Sequence, residues 1–290
     1  MASSSAPPKD GIKYVPFASP QKFSNILPQL YKHYQTCKED TFAFEFLQIT
    51  PDLKVVCQET TAETVRFNTP PDLEHALQES TVIESPKFST GQAPRDDGWA
   101  SWSDWVTRPL ARRFGPELES QAGCMLLGPL VDGTVLYHLH RSPILGYNLY
   151  PHRPDHWVFT LRDYSLSKWR DSTTLCAKNY ILRSEILTVL AIFWHQMNEI
   201  PWDCENYRDG KPVLRYQDGS LTATVITFLT SKVRVVQATC NPSKKLPTLT
   251  FTLRGLYDLD ISCYNKDTAR EIVKWILCPA GPQPDVSAMT

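Results

Sequence analysis

The sequence predicts an α+β fold, in which an antiparallel β-meander sheet packs on helices and follows a smaller N-terminal α-β-β-β-α unit. Three observations indicate this class. Five Asp-Gly pairs occur among the 290 residues, and two of them lie between runs that alternate apolar and polar residues, as in a β-hairpin with a tight turn. An apolar run over residues 181–199 indicates a buried helix, and the last third of the chain alternates with the period of strands.

Residues 13–80 are predicted to form the small α+β unit. A helix is expected over residues 23–37, interrupted or restarted at Pro28. Residues 41–49 and 53–58 are expected to pair as a hairpin, because three phenylalanines alternate along the first segment. These are Phe42, Phe44 and Phe46.

A third strand is expected over residues 62–67, and a short helix follows it. Thr69 is expected to cap this helix, with Pro70 and Pro71 in its first turn. Over residues 81–97 the apolar periodicity gives way to Ser, Thr, Pro, Gly and charged residues, which is typical of a linker or long loop. The predicted domain boundary lies in that segment. The alternative is a single sheet shared by both halves of the chain.

Residues 98–278 are predicted to form the main α+β domain. Its first hairpin joins residues 124–131 to residues 134–140 around the Asp132-Gly133 pair, and a strand is expected over residues 157–162. The helix over residues 181–199 comes next. Its apolar residues cover more than one stripe, so we expect it to be buried on two sides.

Five further strands form the expected meander, over residues 213–216, 221–229, 233–240, 248–254 and 257–263. In the last two strands apolar residues alternate with Thr and Asp, so one face of the sheet is expected to meet water and the other to meet helices. The apolar set is Leu249, Phe251, Leu253, Tyr257, Leu259 and Ile261. A final helix over residues 268–277, capped by Asp267, is expected to cover that apolar face.

Composition and motifs narrow the functional classes. Thirty basic and thirty-one acidic residues leave a net charge of -1, so the overall charge favours neither nucleic acid nor an anionic membrane as a partner. The eight cysteines contain no Cys-x-x-Cys pair, no secretory signal is present, and no apolar run approaches the roughly 20 residues of a membrane span. An intracellular protein, cytoplasmic or nuclear, is expected. The polar tails, residues 1–12 and 279–290, are predicted to be disordered.

One candidate site combines tryptophans with arginines at the start of the main domain. Three tryptophans recur at every third position and three arginines follow them. The set is Trp99, Trp102, Trp105, Arg108, Arg112 and Arg113. Trp and Arg dominate binding hot spots, so this segment is a candidate surface for another protein. The other interpretation is that the indoles fill the interior of the fold. Stacking on nucleic acid ranks last, because the aromatic and basic residues are segregated.

A second candidate site is a group of histidines within nineteen residues of sequence. The set is His138, His140, His152 and His156, with Asp155 between the last two. If the loop folds back, these side chains suit a transition metal or an anion, and the sequence indicates no other cofactor. The other interpretation is that they make ordinary hydrogen bonds.

Two functions follow from these sites. The first is a non-catalytic protein-binding or adaptor protein that uses the aromatic and basic surface. The rival is a metal- or anion-dependent enzyme, such as a hydrolase, centred on the histidines. Nucleotide-binding, nucleophile-elbow, kinase and His-Glu-x-x-His motifs are absent from the sequence, which favours the first. The sequence specifies neither a substrate nor an oligomeric state.

Overall fold

The structure is a computed structural model that describes residues 20–47, 54–59, 65–84, 98–114, 121–122, 144–165, 179–199, 202–203, 208–209, 211–259 and 264–281. In chain order its helices and strands are α1 (Pro20–Thr36), β1 (Thr41–Ala43), α2 (Phe44–Leu47), β2 (Lys54–Glu59), α3 (Pro71–Glu79), α4 (Thr81–Glu84), α5 (Gly98–Phe114), β3 (Gln121–Ala122), β4 (Ile144–Arg153), β5 (His156–Asp163), β6 (Tyr180–Leu182), α6 (Arg183–Met197), β7 (Asn198–Glu199), β8 (Trp202–Asp203), β9 (Arg208–Asp209), β10 (Val213–Leu214), β11 (Leu221–Phe228), β12 (Lys232–Cys240), β13 (Thr248–Asp258) and α7 (Lys266–Leu277).

A seven-stranded mixed sheet lies at the centre, with the strand order β2-β13-β12-β11-β5-β4-β3. β11, β12 and β13 form the predicted antiparallel meander. β11 runs parallel to β5, however, and β13 runs parallel to β2. The α+β class is confirmed, and a purely antiparallel sheet is wrong. For β5 and β11 the reason is the connection through α6, since a chain that crosses over by a helix returns parallel to the strand it left.

Helices cover both faces of this sheet. α1 and α6 pack on one face, and α3, α4, α5 and α7 pack on the other. The prediction that one face meets water is therefore wrong. All eight positions of β11 are buried, including three threonines. Alternating threonines do not mark a solvent-facing side here, because the methyl group of Thr can pack in a core and its hydroxyl can bond locally, as that of Thr224 does with His156 and Gln237.

α6 is the central helix of the first face. It confirms the helix predicted over residues 181–199, and twelve of its fifteen residues are buried. It packs between α1 and β11, which accounts for its burial on two sides. α1 is continuous through Pro28, which lies inside the helix rather than dividing it.

A β-bulge in β13 moves its apolar residues from one face of the sheet to the other. The pairing with β12 shifts between Val235 and Val236, which leaves Arg254 as the extra residue. Leu253 packs with α1 and α6, whereas Leu259 packs with α7. β13 thus joins the strand predicted at residues 248–254 to residues 257 and 258, and Leu253 and Leu259 do not share a face as predicted. Ile261 lies outside the described residues.

The N-terminal segments join other parts of the chain instead of forming the predicted hairpin. β1 pairs with β6, and residues 44–47 turn into the short helix α2. β2 pairs with β13 at the edge of the large sheet. α3 confirms the short helix after Thr69, and α4 is a helical turn within the predicted linker. The division into two units stays a prediction.

The cap of the final helix and the strand pairing around Gly219 differ from the predicted ones. α7 confirms the final helix, but its cap is Asn265, whose side chain accepts hydrogen bonds from the backbone of Asp267 and Thr268. Gly219 has a φ of 109°, as the Asp-Gly pattern requires, yet β10 and β11 on either side pair with different strands. The hairpin predicted at 124–140, the N-terminal tail and residues 282–290 lie outside the described residues. Residues 279–281 of the predicted C-terminal tail are described, and Ala280 is buried. No helix in the described ranges is long and apolar enough to cross a membrane.

Candidate functional site

The three tryptophans of α5 separate into a buried pair and an exposed one. Trp99 and Trp102 are 2% and 5% exposed, whereas Trp105 is 62% exposed. The ring of Trp99 stacks on Tyr264 with centroids 5.8 Å apart, and Trp102 Nε1 donates to the carbonyl of Val82 over 3.5 Å. The interior interpretation therefore describes the first two indoles, and Trp105 alone is available to a partner.

The arginines of α5 lie on the same side of the helix as Trp105. Arg108, Arg112 and Arg113 follow it by three, seven and eight residues, which places all four on one helical face. Arg108 Nη2 lies 3.0 Å from Asp104 Oδ2. In the described part of the chain no carboxylate pairs with the exposed Arg112 or Arg113. We call Trp105, Arg108, Arg112 and Arg113 the α5 face.

Buried hydrogen bonds fix α5 against the sheet and so orient this face. Thr107 Oγ1 and the Tyr150 hydroxyl are 2.9 Å apart, and both residues are buried. Burial raises the pKa of the Tyr150 phenol to about 12. Asp104 also accepts a hydrogen bond from the Asn148 side chain. The helix therefore presents the α5 face from a rigid base.

The two described histidines of the second candidate site each have a hydrogen bond of their own. His152 Nε2 lies 2.8 Å from the carbonyl of Ile276, and His156 Nε2 lies 3.0 Å from Thr224 Oγ1. Their ring centroids are 6.4 Å apart. Asp155 lies at the surface, where it pairs with Arg153 over 3.2 Å. Gln237 extends this network, since its Nε2 donates both to Thr224 Oγ1 and to the carbonyl of Ala280.

Burial keeps both imidazoles neutral. Burial is the main reason that the pKa of His152 is lowered to about 4 and that of His156 to about 3; His152 lowers the pKa of His156 as well, and the positive charge of Arg153 makes a smaller contribution to both. Neutral imidazoles could ligate a metal, but no group of three or more His, Cys, Asp or Glu side chains suited to a metal occurs in the described ranges. His138 and His140 lie outside those ranges, so the four-histidine site stays a prediction.

A buried ion pair on the other face of the sheet was missed by the sequence reasoning. Arg234 on β12 and Glu185 on α6 are both fully buried, and Arg234 Nε lies 3.0 Å from Glu185 Oε1. Arg234 Nη2 also donates to the carbonyl of Tyr180 over 2.8 Å, and the guanidinium lies 4.3 Å from the centroid of the Tyr180 ring. A signal was present in the sequence, because Arg234 interrupts a run of valines and Glu185 precedes an apolar helix.

Asp163 brings a second carboxyl group to this region. Its Oδ2 accepts a hydrogen bond of 2.5 Å from Ser184 Oγ, and its Oδ1 accepts one of 2.8 Å from the backbone of Ser165. Burial raises the pKa of Asp163, and the charge of Glu185 raises it further despite the serine hydrogen bonds. We call Asp163, Tyr180, Ser184, Glu185, Thr188, Thr227 and Arg234 the arginine layer.

Several atoms of the arginine layer lack a hydrogen-bond partner. Arg234 Nη1, the Tyr180 hydroxyl, Thr227 Oγ1 and Thr188 Oγ1 are buried without a partner among the described residues. An unpaired buried polar atom costs about 1–3 kcal/mol, and more when it is charged. Four such atoms would cost a large share of the roughly 5–15 kcal/mol that stabilises a typical domain. The layer is therefore an energetically demanding part of the described core.

A groove of about 360 Å³ between α3 and α7 is a third candidate. Its charged side chains are paired with one another: Lys274 Nζ lies 2.6 Å from Glu74 Oε2, and Arg270 Nη1 lies 2.9 Å from Asp267 Oδ1. A charged ligand would have to break these pairs. The groove therefore offers less to a ligand than the α5 face does.

Comparisons with protein-family models, with curated proteins and with solved structures each find no match. The function is therefore inferred from the geometry of the sites.

Proposed function

We propose that this chain is a non-catalytic adaptor that binds another protein through the α5 face. The observation that carries the proposal is the exposure of Trp105, which is 62% exposed on a helix whose other two tryptophans are buried. A tryptophan side chain offers up to about 250 Å² of largely apolar area, and large exposed aromatics are enriched where proteins bind partners.

Charge indicates the chemistry of the partner. The α5 face carries three arginines, and Asp104 beside Arg108 is the carboxylate that pairs with this face in the described part of the chain. An acidic segment with one large apolar residue would complement it, since its carboxylates would meet Arg112 and Arg113 while the apolar residue packs on Trp105. A basic partner lacks the carboxylates, and nucleic acid ranks below an acidic protein because the single exposed indole of α5 offers one stacking position rather than a series.

Selection from a random library of displayed 12-residue peptides tests this proposal. The expected result is enrichment of peptides that combine Asp or Glu with one aromatic or large aliphatic residue. Trp105→Ser should weaken binding of a selected peptide on the order of 30-fold, the ~2 kcal/mol of a hot-spot residue. Arg112→Ser should weaken it less, with a loss that shrinks as salt is raised.

Two controls separate binding from folding. Arg153→Ser removes an arginine that is 58% exposed at another surface and should leave peptide binding unchanged. Trp105→Ser should leave the melting temperature within about 2 °C of wild type, because surface substitutions change stability by less than about 0.5 kcal/mol. Enrichment of peptides without acidic residues, or equal binding by Trp105→Ser, would contradict the proposal.

A further inference from the structure

The arginine layer contains polar groups that the described protein atoms do not satisfy. Thr227 and Arg234 are direct partners across the β11–β12 ladder, so their side chains project from the same face of the sheet. Glu185 and Thr188 are three residues apart on α6 and share a helical face. The unpaired Arg234 Nη1 and the two unpaired threonine hydroxyls therefore belong to one region between α6 and the sheet.

The charges in the layer decide between an anion and a neutral ligand. Glu185 already neutralises Arg234. Asp163 lies in the same region, because the charges of Asp163 and Glu185 both act on the Tyr180 phenol. Burial is the main reason that the pKa of this phenol is raised. A bound anion would add a further negative charge to a region that is closed to solvent. A neutral ligand would add none.

Size limits the neutral ligand to a very small molecule. Arg234, Glu185, Ser184, Thr188 and Thr227 are fully buried, so no opening admits an organic compound. Water is small enough, and it accepts from a guanidinium and both donates to and accepts from hydroxyls. We propose that the arginine layer is an internal hydration site, in which ordered water accepts a hydrogen bond from Arg234 Nη1 and joins it to the hydroxyls of Thr227 and Thr188.

Thermal unfolding of threonine-to-valine variants tests this site, because hydrated and dry hydroxyls predict opposite changes in melting temperature. If Thr227 holds a bound water, Thr227→Val removes a hydrogen bond and lowers the melting temperature, by about 2–4 °C. If the hydroxyl is buried dry, the same substitution removes an unpaired polar group and raises the melting temperature. A melting temperature that rises or stays unchanged in both Thr227→Val and Thr188→Val would overturn the proposal.

Thr224→Val is the matched control on the same strand. Its hydroxyl has two protein partners, His156 and Gln237, so this variant should lose stability whether or not the layer is hydrated. A crystal structure from bromide-soaked crystals completes the test. Density for a light, neutral molecule within hydrogen-bond distance of Arg234 Nη1 is expected. An anomalous bromide peak there, or a protein atom bonded directly to Nη1, would overturn the hydration site.

Discussion

The two faces of the central sheet bury polar groups in opposite ways. Under α6 the core contains a charged pair, Arg234 and Glu185, with Asp163 nearby. Under α7 the core contains the neutral histidines His152 and His156, which bond to a carbonyl and a hydroxyl. A charge can be buried only with a partner, whereas a histidine can give up its charge. The first face should therefore depend on intact pairs, and the second, which contains two such histidines, should depend more strongly on pH.

Breaking the ion pair should cause the largest effect. Glu185→Gln leaves the Arg234 guanidinium buried without a counter-charge, so we expect a loss of about 3–5 kcal/mol in the free energy of unfolding, measured by urea denaturation. The surface pair of Arg215 and Glu199 provides the control. Glu199→Gln should cost less than about 1 kcal/mol, because water screens that pair.

Replacing both members of the pair separates the cost of leaving one charge unpaired from the net contribution of the ion pair to stability. The double variant Glu185→Leu with Arg234→Met should recover most of the stability that Glu185→Gln loses, because well-packed apolar residues avoid the cost of burying charge. A double variant that is less stable than Glu185→Gln would show that the arginine layer stabilises the fold by more than the mutual neutralisation of its charges.

The β-bulge of β13 connects the two faces, and Gly255 makes it possible. A Cβ atom at Gly255 would lie 2.4 Å from the nearest atom of the Tyr257 ring. That ring cannot move freely, because its hydroxyl donates to Glu271 over 2.7 Å and accepts from Trp275 Nε1 over 2.9 Å. Gly255→Ala should cost about 1–3 kcal/mol by urea denaturation, as expected for overpacking.

Gly281→Ala is the control for the backbone effect of alanine. No atom lies within 4 Å of a Cβ built on Gly281, so this variant should change the free energy of unfolding by less than about 0.5 kcal/mol. Equal stability of the two variants would mean that the bulge tolerates a side chain at Gly255 and that the Tyr257 ring restricts this position less than its close contacts indicate.

Acid should act through the histidine face. The pKa values of His156 and His152, about 3 and about 4, lie below the ordinary value of 6.5. The unfolded chain therefore binds more protons, so stability is complete above pH 6.5 and falls as the pH decreases from there. Each histidine contributes at most about 1.4 kcal/mol per pH unit. His195, with a pKa lowered by burial to about 4, adds a similar slope from α6.

His156→Gln should reduce the slope of the free energy of unfolding against pH by the contribution of about one proton between pH 6 and pH 4. Urea denaturation at each pH measures this slope. Thr224→Val breaks the same hydrogen bond but keeps the imidazole. It should lower stability at every pH and leave the slope nearly unchanged. A slope that His156→Gln does not alter would place the acid sensitivity elsewhere in the chain.

Local patterns predicted the helices well, because a helix is specified by neighbours three and four residues apart. α6 and α7 lie where the apolar residues indicated them, and Trp275 faces the core as expected. The spacing of Trp99, Trp102 and Trp105 also identified α5 as a candidate site. It could not show which indole would remain outside, because that depends on how α5 packs against Tyr150 and Tyr264.

Strand pairing and the arginine layer depend on residues far apart in the chain. β5 and β11 are parallel neighbours only because α6 crosses between them, and no local pattern encodes that crossing. Glu185 and Arg234 are 49 residues apart, so each looked like an isolated charge in an apolar run. The bulge at Arg254 depends on its pairing with β12, although a glycine inside a strand pattern is a usable signal for a bulge.

The smallest effect on stability should come from a substitution of Asp163, which compares the roles of the two buried carboxyl groups near Arg234. The folded pKa of Asp163 is raised by burial, so the stability that its neutral form contributes is present at low pH and is lost as the pH rises through that pKa. Asp163→Asn keeps the acceptor for Ser184 and for the backbone of Ser165 without a charge. At pH 7 we expect stability equal to wild type or higher by up to about 1 kcal/mol, in the same assay that detects the large loss in Glu185→Gln. If Asp163→Asn instead lost as much as Glu185→Gln, the carboxylate of Asp163 would be as necessary to the buried Arg234 as that of Glu185.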